Sequence, residues 1–182
     1  MIIKILIVLA SLVVVFLVVA AFQPEDFKVE RSITVAASPA AAFDQVNDLH
    51  RWLEISPYVK LDSAAKYTFT GPSAGVDAAL AWTGNSKLGE GKMTVVESRP
   101  GEIVRMRLDF EKPFKSTSLT EFTFRPLAGE GDQTAVTWSM TGKKNFMSKA
   151  MCLILSMDKM VGGPFEEGLA NLKSVVEAKA KK

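Results

Sequence analysis

The groups in this sequence that could move a proton are few and scattered. Glu54, Glu97, Glu121 and Asp158 sit beside apolar runs and are candidates for partly buried acids, with Asp158 nearest the apolar stripe of the last segment. A solvated or helix-capping role is the plainer account of each of them. His50, close to Asp48 and Trp52, is the only histidine, and Cys152 is the only cysteine. Acid–base catalysis needs a titratable group within hydrogen-bonding reach of its proton, and a lone histidine there is more often a surface or packing residue than a base. One histidine and one cysteine, far apart in sequence, argue against a Cys/His hydrolase or a His/Cys zinc site. No internal disulfide is possible. The chain also has no G-x-S-x-G elbow, phosphate-binding loop or dinucleotide fingerprint. No catalytic residue is assigned, and no metal or cofactor is implied.

The sequence is richer in apolar residues that recur in phase. Residues 27–35, 66–70, 76–83, 92–98, 103–111, 118–125 and 135–140 alternate as half-buried strands do. Pro100-Gly101, Lys112-Pro113 and Gly129-Glu130-Gly131-Asp132 punctuate them, as in consecutive antiparallel hairpins. Val104, Met106, Leu108 and Phe110 share one face of their strand. Phe122 and Phe124 share one face of the next, and Val136, Trp138 and Met140 one face of the last. Between the first strand and the meander, Ser38-Pro39 opens a short helix with Ser38 as N-cap, and a second short helix runs to Ser56-Pro57. After Gly142 the period changes to three and four. Met147, Met151, Leu155, Met157 and Met160 belong to a long amphipathic helix, expected to bend or break at Gly162-Gly163-Pro164.

The stretch from Gly71 to Met93 carries a recognisable pattern. It reads G-P-x-x-G-V-x-A-x-x-x-W-x-G-N-x-x-x-G-x-G-x-M: a turn, a strand ending at Trp82, a second turn at Gly89-Glu90-Gly91, and the start of another strand. This pattern resembles bacterial members of the SRPBCC superfamily, the START-like, polyketide cyclase/dehydrase and lipid-transport proteins. Lys112-Pro113-Phe114, the run from Thr134 to Trp138, and the run from Gly168 to Lys173 resemble the same superfamily. The resemblance implies an α+β helix-grip fold, with a curved antiparallel β-sheet wrapped around a long C-terminal helix. It also implies that helix and sheet can stand apart and enclose a cavity. The residues expected to line it are Trp82, Met93, Met106, Phe110, Phe122, Phe124, Trp138, Met140, Met151 and Leu155. Filling the core is the plainer role for each. Methionine suits a variable apolar guest because it is flexible and polarizable.

The N-terminus is a separate element. From Ile5 to Phe22 there is no charge and one polar residue, Ser11. As a helix this run rises about 27 Å, against a hydrocarbon core of about 30 Å. It reads as a single transmembrane anchor over residues 1–23 or as a signal peptide, with Val19-Ala20-Ala21 offering a partial cleavage pattern. Lys4 before the run, and Glu25 and Asp26 after it, place the N-terminus in the cytoplasm and the domain on the periplasmic side. Signal cleavage would instead leave a secreted or periplasmic domain. Residues 24–26 form a linker, residues 27–178 the START-like domain and residues 179–182 a basic tail.

At 182 residues and a net charge of +2, with charges interspersed, the chain gives no sign of a nucleic-acid partner. The expected partners are a hydrophobic small molecule or lipid, and the membrane through the N-terminal helix. A cyclase- or dehydratase-type enzyme using the same cavity is the first alternative. A ligand-free interaction module with a filled interior is the second.

Overall fold

The computed structural model describes residues 2–128, 132–153 and 156–180. The predicted turn at Gly129-Glu130-Gly131 and the cavity candidate Leu155 lie outside the described residues. Helix α1 (Ile2–Ala21) comes first, 20 residues long, with every side chain exposed to some degree except that of Ala20. A helix of that length rises about 30 Å and is apolar enough to cross a membrane or to serve as a signal sequence.

Strand β1 (Asp26–Val35) opens the domain. Ser38 then starts α2 (Pro39–Asn47): its hydroxyl accepts the Ala41 N–H at 3.3 Å, and Pro39 takes the first helical position, where no amide hydrogen is needed. Asp48 both ends α2 and caps α3 (Leu49–Ile55), accepting the His50 N–H at 2.9 Å. The chain therefore changes direction at one residue and buries Leu49, Trp52 and Ile55. A 3-10 turn follows over Pro57–Leu61.

The remaining strands are β2 (Lys66–Thr70), β3 (Ala79–Thr83), β4 (Glu90–Arg99), β5 (Ile103–Lys112), β6 (Ser116–Pro126) and β7 (Thr134–Lys143). They form one seven-stranded antiparallel sheet in the order β1-β7-β6-β5-β4-β3-β2. Register shifts between Glu90 and Gly91, and between Val95 and Glu97, interrupt β4, and bulges of this kind bend a strand. After α4 (Phe146–Cys152), helix α5 (Met157–Ala180) packs against β1, β7, α2, α3 and the 3-10 turn. Phe165, Leu169, Leu172 and Val176 recur every three or four residues and put one buried stripe on the core. This is the α+β helix-grip architecture with an N-terminal apolar helix.

Three local expectations are corrected. The predicted strand at 76–83 starts only at Ala79, because Asp77 has φ 69° and Val76 is exposed. Gly91 belongs to β4 rather than to a turn: a Cβ there would lie 2.5 Å from Trp82 Cζ2, so the missing side chain makes room for an indole. The last helix does not break at Gly162-Gly163-Pro164; α5 runs through all three. The division falls earlier, where the Ser156 hydroxyl accepts the Lys159 N–H at 3.3 Å and starts a new helix. Gly162 serves packing instead. A Cβ there would overlap the Arg31 guanidinium, which lies across the helix from β1.

Candidate ligand-binding cavity

Between the sheet, α3, the 3-10 turn and the first three turns of α5 lies a cavity of about 270 Å³. This is near the lower end of the ~300–1,000 Å³ range for small-molecule sites. Its sheet wall is made by inward-facing residues of six strands: Tyr67, Leu80 and Trp82, Met93, Leu108 and Phe110, Thr120, and Trp138 and Met140. Trp52, Leu53, Ser56 and Tyr58 close one side, and Met160, Val161 and Phe165 of α5 another. No carboxylate, imidazole, ammonium or guanidinium group lines it among the described residues. A charged ligand group would find no counter-ion there, whereas burial of apolar surface drives an uncharged guest inward.

The wall is held by aromatic packing. Trp138 stacks on Phe165 with centroids 3.9 Å apart, meets Trp52 edge-on at 5.3 Å, and overlaps Phe122 at 4.7 Å. Its indole N–H donates to Thr120 Oγ1 at 2.7 Å, and Thr120 in turn donates to the Ser139 carbonyl at 3.0 Å. Trp82 meets Phe110 edge-on at 5.7 Å. Burial pushes the Tyr58 hydroxyl up to about 12. Tyr67 is also raised, first by burial and then by the charge of Asp62. Both phenols therefore stay protonated at neutral pH.

Five of the ten candidate lining residues come together here: Trp82, Met93, Phe110, Trp138 and Met140. Met106, Phe122 and Phe124 are on the correct face but are buried in the core, off the cavity wall. Phe124 packs edge-on against Phe43 of α2, and Phe122 against Trp52 of α3. Alternation gives the face of a strand, not the point along it where α2 and α3 cover it. Met151 is exposed on α4, away from the cavity, because the helical run divides before Ser156. Tyr58 was not legible, since it sits in a 3-10 turn that has no apolar period. Tyr67 and Phe165 did have the correct phase, in β2 and α5.

The candidate proton carriers lie elsewhere. Asp158 pairs with Arg31 at 2.8 Å on the surface, and Arg31 also reaches Glu166 at 2.6 Å. Hydrogen bonding from Arg31 holds the Asp158 carboxyl below its ordinary range. His50 stacks on Phe69 at 3.8 Å, with Nδ1 3.5 Å from Asp48. Glu97 and Glu121 flank Arg105 across β4, β5 and β6, both in register with it. Glu54 lies 3.6 Å from Lys179 and accepts from Gln45 at 3.1 Å. Among the described residues, no three His, Cys, Asp or Glu side chains gather into a metal-ligating group.

An open antiparallel sheet, a long C-terminal helix and an apolar cavity between them define a ligand-binding domain of the helix-grip class. Residues 26–177 match the family model for polyketide cyclase/dehydrase and lipid transport, and the chain belongs to that family. No curated protein matches it by sequence. Among solved structures it is similar to norcoclaurine synthase from Thalictrum flavum, in complex with dopamine and hydroxybenzaldehyde. The TM-score is 0.63 at 12% identity, covering 87% of this chain and 90% of that one. A hypothetical protein from Helicobacter pylori gives TM-score 0.61 at 12% identity, covering 84% and 89%. Aha1 from Colwellia psychrerythraea gives 0.55 at 15% identity, covering 83% and 96%. Identities this low establish the fold.

Proposed function

We propose that this protein is a membrane-tethered binding domain that holds one small hydrophobic molecule or lipid chain between its sheet and α5. The observation that carries this is the cavity, which is apolar, uncharged and walled by both elements of the grip. A ligand-free interaction module would have had that space filled. The cyclase or dehydratase alternative needs a group that moves a proton. His50 and Asp158 both lie outside the cavity, which leaves Tyr58 and Tyr67 as its titratable groups among the described residues.

Several contacts support the tether. Helix α4 packs beside α1. The Lys144 N–H donates to the Glu25 carbonyl at 2.7 Å, and Lys149 Nζ lies 3.2 Å from the Glu25 carboxylate. The domain is thereby fixed to the end of α1 instead of hanging from a loose linker. Phe146, Met147 and Met151 of α4 are exposed beside it, as residues that rest in a lipid interface would be. Met160 is both part of the cavity wall and 40% exposed. It stands one turn into α5, and its exposure supports an entry to the cavity there. Lys4 before α1, and Glu25 and Asp26 after it, favour a periplasmic domain.

The test is native mass spectrometry of the full chain released from gently solubilised bacterial membranes, followed by organic extraction. A reproducible adduct that extracts as an apolar compound is expected. A bare chain that takes up no apolar probe would overturn the binding reading. Recovery of a shortened chain in the soluble periplasmic fraction would overturn the tether alone.

A further inference from the structure

Two hydrogen-bond donors on the cavity wall have no partner among the described residues. The Tyr67 hydroxyl and the Trp82 indole nitrogen are both buried, and neither hydrogen-bonds to a described residue. Buried polar groups are nearly always paired. Trp138 illustrates this in the same cavity, where its indole N–H is taken up by Thr120. The two residues that carry them are also neighbours. Tyr67 on β2 and Trp82 on β3 are directly opposed in the antiparallel register, and both side chains line the cavity. Opposed residues hold their Cβ atoms about 5 Å apart on one face of the sheet.

The Trp82 indole is held where it is by the strand on its other side. Its register partner on β4 is Gly91, and a Cβ there would lie 2.5 Å from Cζ2 and 2.8 Å from Cη2. The bare glycine gives the ring a seat, and Phe110 meets it edge-on. The donor is therefore presented by a packed ring.

We propose that the ligand is a neutral apolar molecule bearing an acceptor oxygen of the carbonyl or ester kind, which the Tyr67 hydroxyl and the Trp82 indole N–H bind at the β2–β3 wall. This rests on the cavity being a ligand site, and it names the ligand's chemistry. One carbonyl oxygen has two lone pairs, one for each donor. A carboxylate would also accept, but it would enter a wall without a cation and remain an uncompensated charge. A plain hydrocarbon would leave both donors unpaired, and sites built to hydrogen-bond a ligand discriminate most strongly against analogues that lack the matching group.

The experiment uses the full chain in phosphatidylcholine nanodiscs, with 15N-labelled tryptophan indoles and 13C-labelled methionine methyls. The probes are 4-phenylbutan-2-one and (3-methylbutyl)benzene, which match in size and branching and differ by a carbonyl. Perturbed Met93 and Met140 methyl signals report occupancy by either probe. The expected result is that both enter. The ketone alone moves the Trp82 indole proton downfield and leaves that of Trp138 in place, and Tyr67→Phe lowers the ketone-over-hydrocarbon affinity ratio about fivefold to tenfold. Partitioning of each probe into the nanodisc is the same for both proteins and cancels when the native and Tyr67→Phe ratios are compared. Should Tyr67→Phe fail to fold, the Trp82 indole shift in the native chain decides. If both probes enter with the Trp82 indole unmoved, or with the ratio unchanged in a folded Tyr67→Phe, the acceptor proposal fails and the cavity reading stands. If neither probe enters, both fail.

Discussion

The phenyl ring of Phe165 on α5 lies flat against the indole of Trp138 on β7, with centroids 3.9 Å apart and planes within 10°. This contact joins the helix to the sheet at the cavity edge. It also sets the distance at which the grip is held. Both residues are almost fully buried, so neither ring is spare surface. Phe165→Ala removes one partner and joins its volume to the cavity. The expected loss is about 3–5 kcal/mol of unfolding free energy. Phe146→Ala, on the exposed face of α4, should fall within about 0.5 kcal/mol of the native chain. Chemical denaturation of the full chain in detergent checks both. Equal effects would show that the stack does not anchor α5.

Two glycines of α5 should respond in opposite directions to the same change. Nothing lies within 4 Å of a Cβ placed on Gly163. Gly163→Ala there gains helix propensity without a clash and should stabilise by about 0.5–1 kcal/mol. A Cβ on Gly168 would lie 2.6 Å from Trp138 Cζ3 and 3.2 Å from Pro57 Cδ. Neither neighbour is the end of a flexible chain. Gly168→Ala should cost about 1–2 kcal/mol net, since overpacking outweighs the propensity gain. Thermal unfolding of the two variants side by side decides it, and the same sign for both would refute the packing argument.

The same residues mark how much could be read from sequence. Alternation with a period of two placed Trp82, Met93, Phe110, Trp138 and Met140 on the inner face, because a pleated strand has only two faces. It could not separate them from Met106, Phe122 and Phe124, because which stretch of that face meets α2 and α3 is decided by tertiary packing. Glycines were the least legible. Gly91 and Gly162 read as turn and helix-break signals, yet each is bare so that a large side chain from another element can cross it: Trp82 in one case, Arg31 in the other. Ser156 was the helix signal that mattered, and a single serine in an amphipathic run is easily overlooked. The cavity itself is a volume left over after packing, and no periodicity encodes it.

The Arg31–Asp158 pair gives a pH dependence with a definite sign. Hydrogen bonding from Arg31 lowers the Asp158 carboxyl below its ordinary 3.8, while the same contacts raise Arg31. A carboxylate with a lowered folded value stabilises the fold fully above the unfolded value and loses that contribution as pH falls through the folded one. The native chain should therefore outlast Asp158→Asn at pH 6 and lose the advantage below about pH 4. The effect is small, because Asp158 is exposed and solvent screens the pair. Melting temperatures of both proteins between pH 6 and 3 test it. A difference that stays constant across that range would mean the pair does not couple to folding.

The two cavity phenols predict behaviour at the alkaline end. The chain contains two tyrosines, and both belong to the cavity wall. Burial raises Tyr58 to about 12, and burial with the nearby charge of Asp62 raises Tyr67. A phenol with a raised folded value contributes stability that is complete below its ordinary value of 10.0. For Tyr58 that contribution is lost as pH rises from there toward about 12. Absorbance at about 295 nm, where phenolate absorbs, should therefore show no full two-tyrosine step centred near pH 10 while the chain is folded. Tyr58→Phe should remove the later step and make the folded chain less sensitive to pH above 10. A ketone held by the Tyr67 hydroxyl accepts its proton in a hydrogen bond and favours the neutral phenol. Adding 4-phenylbutan-2-one should then move the remaining Tyr67 step in Tyr58→Phe to higher pH, while (3-methylbutyl)benzene, which offers no acceptor, should move it less. Two phenols ionising together near pH 10 in the folded chain would mean that water reaches both freely, and the cavity would not be the enclosed apolar space its wall describes.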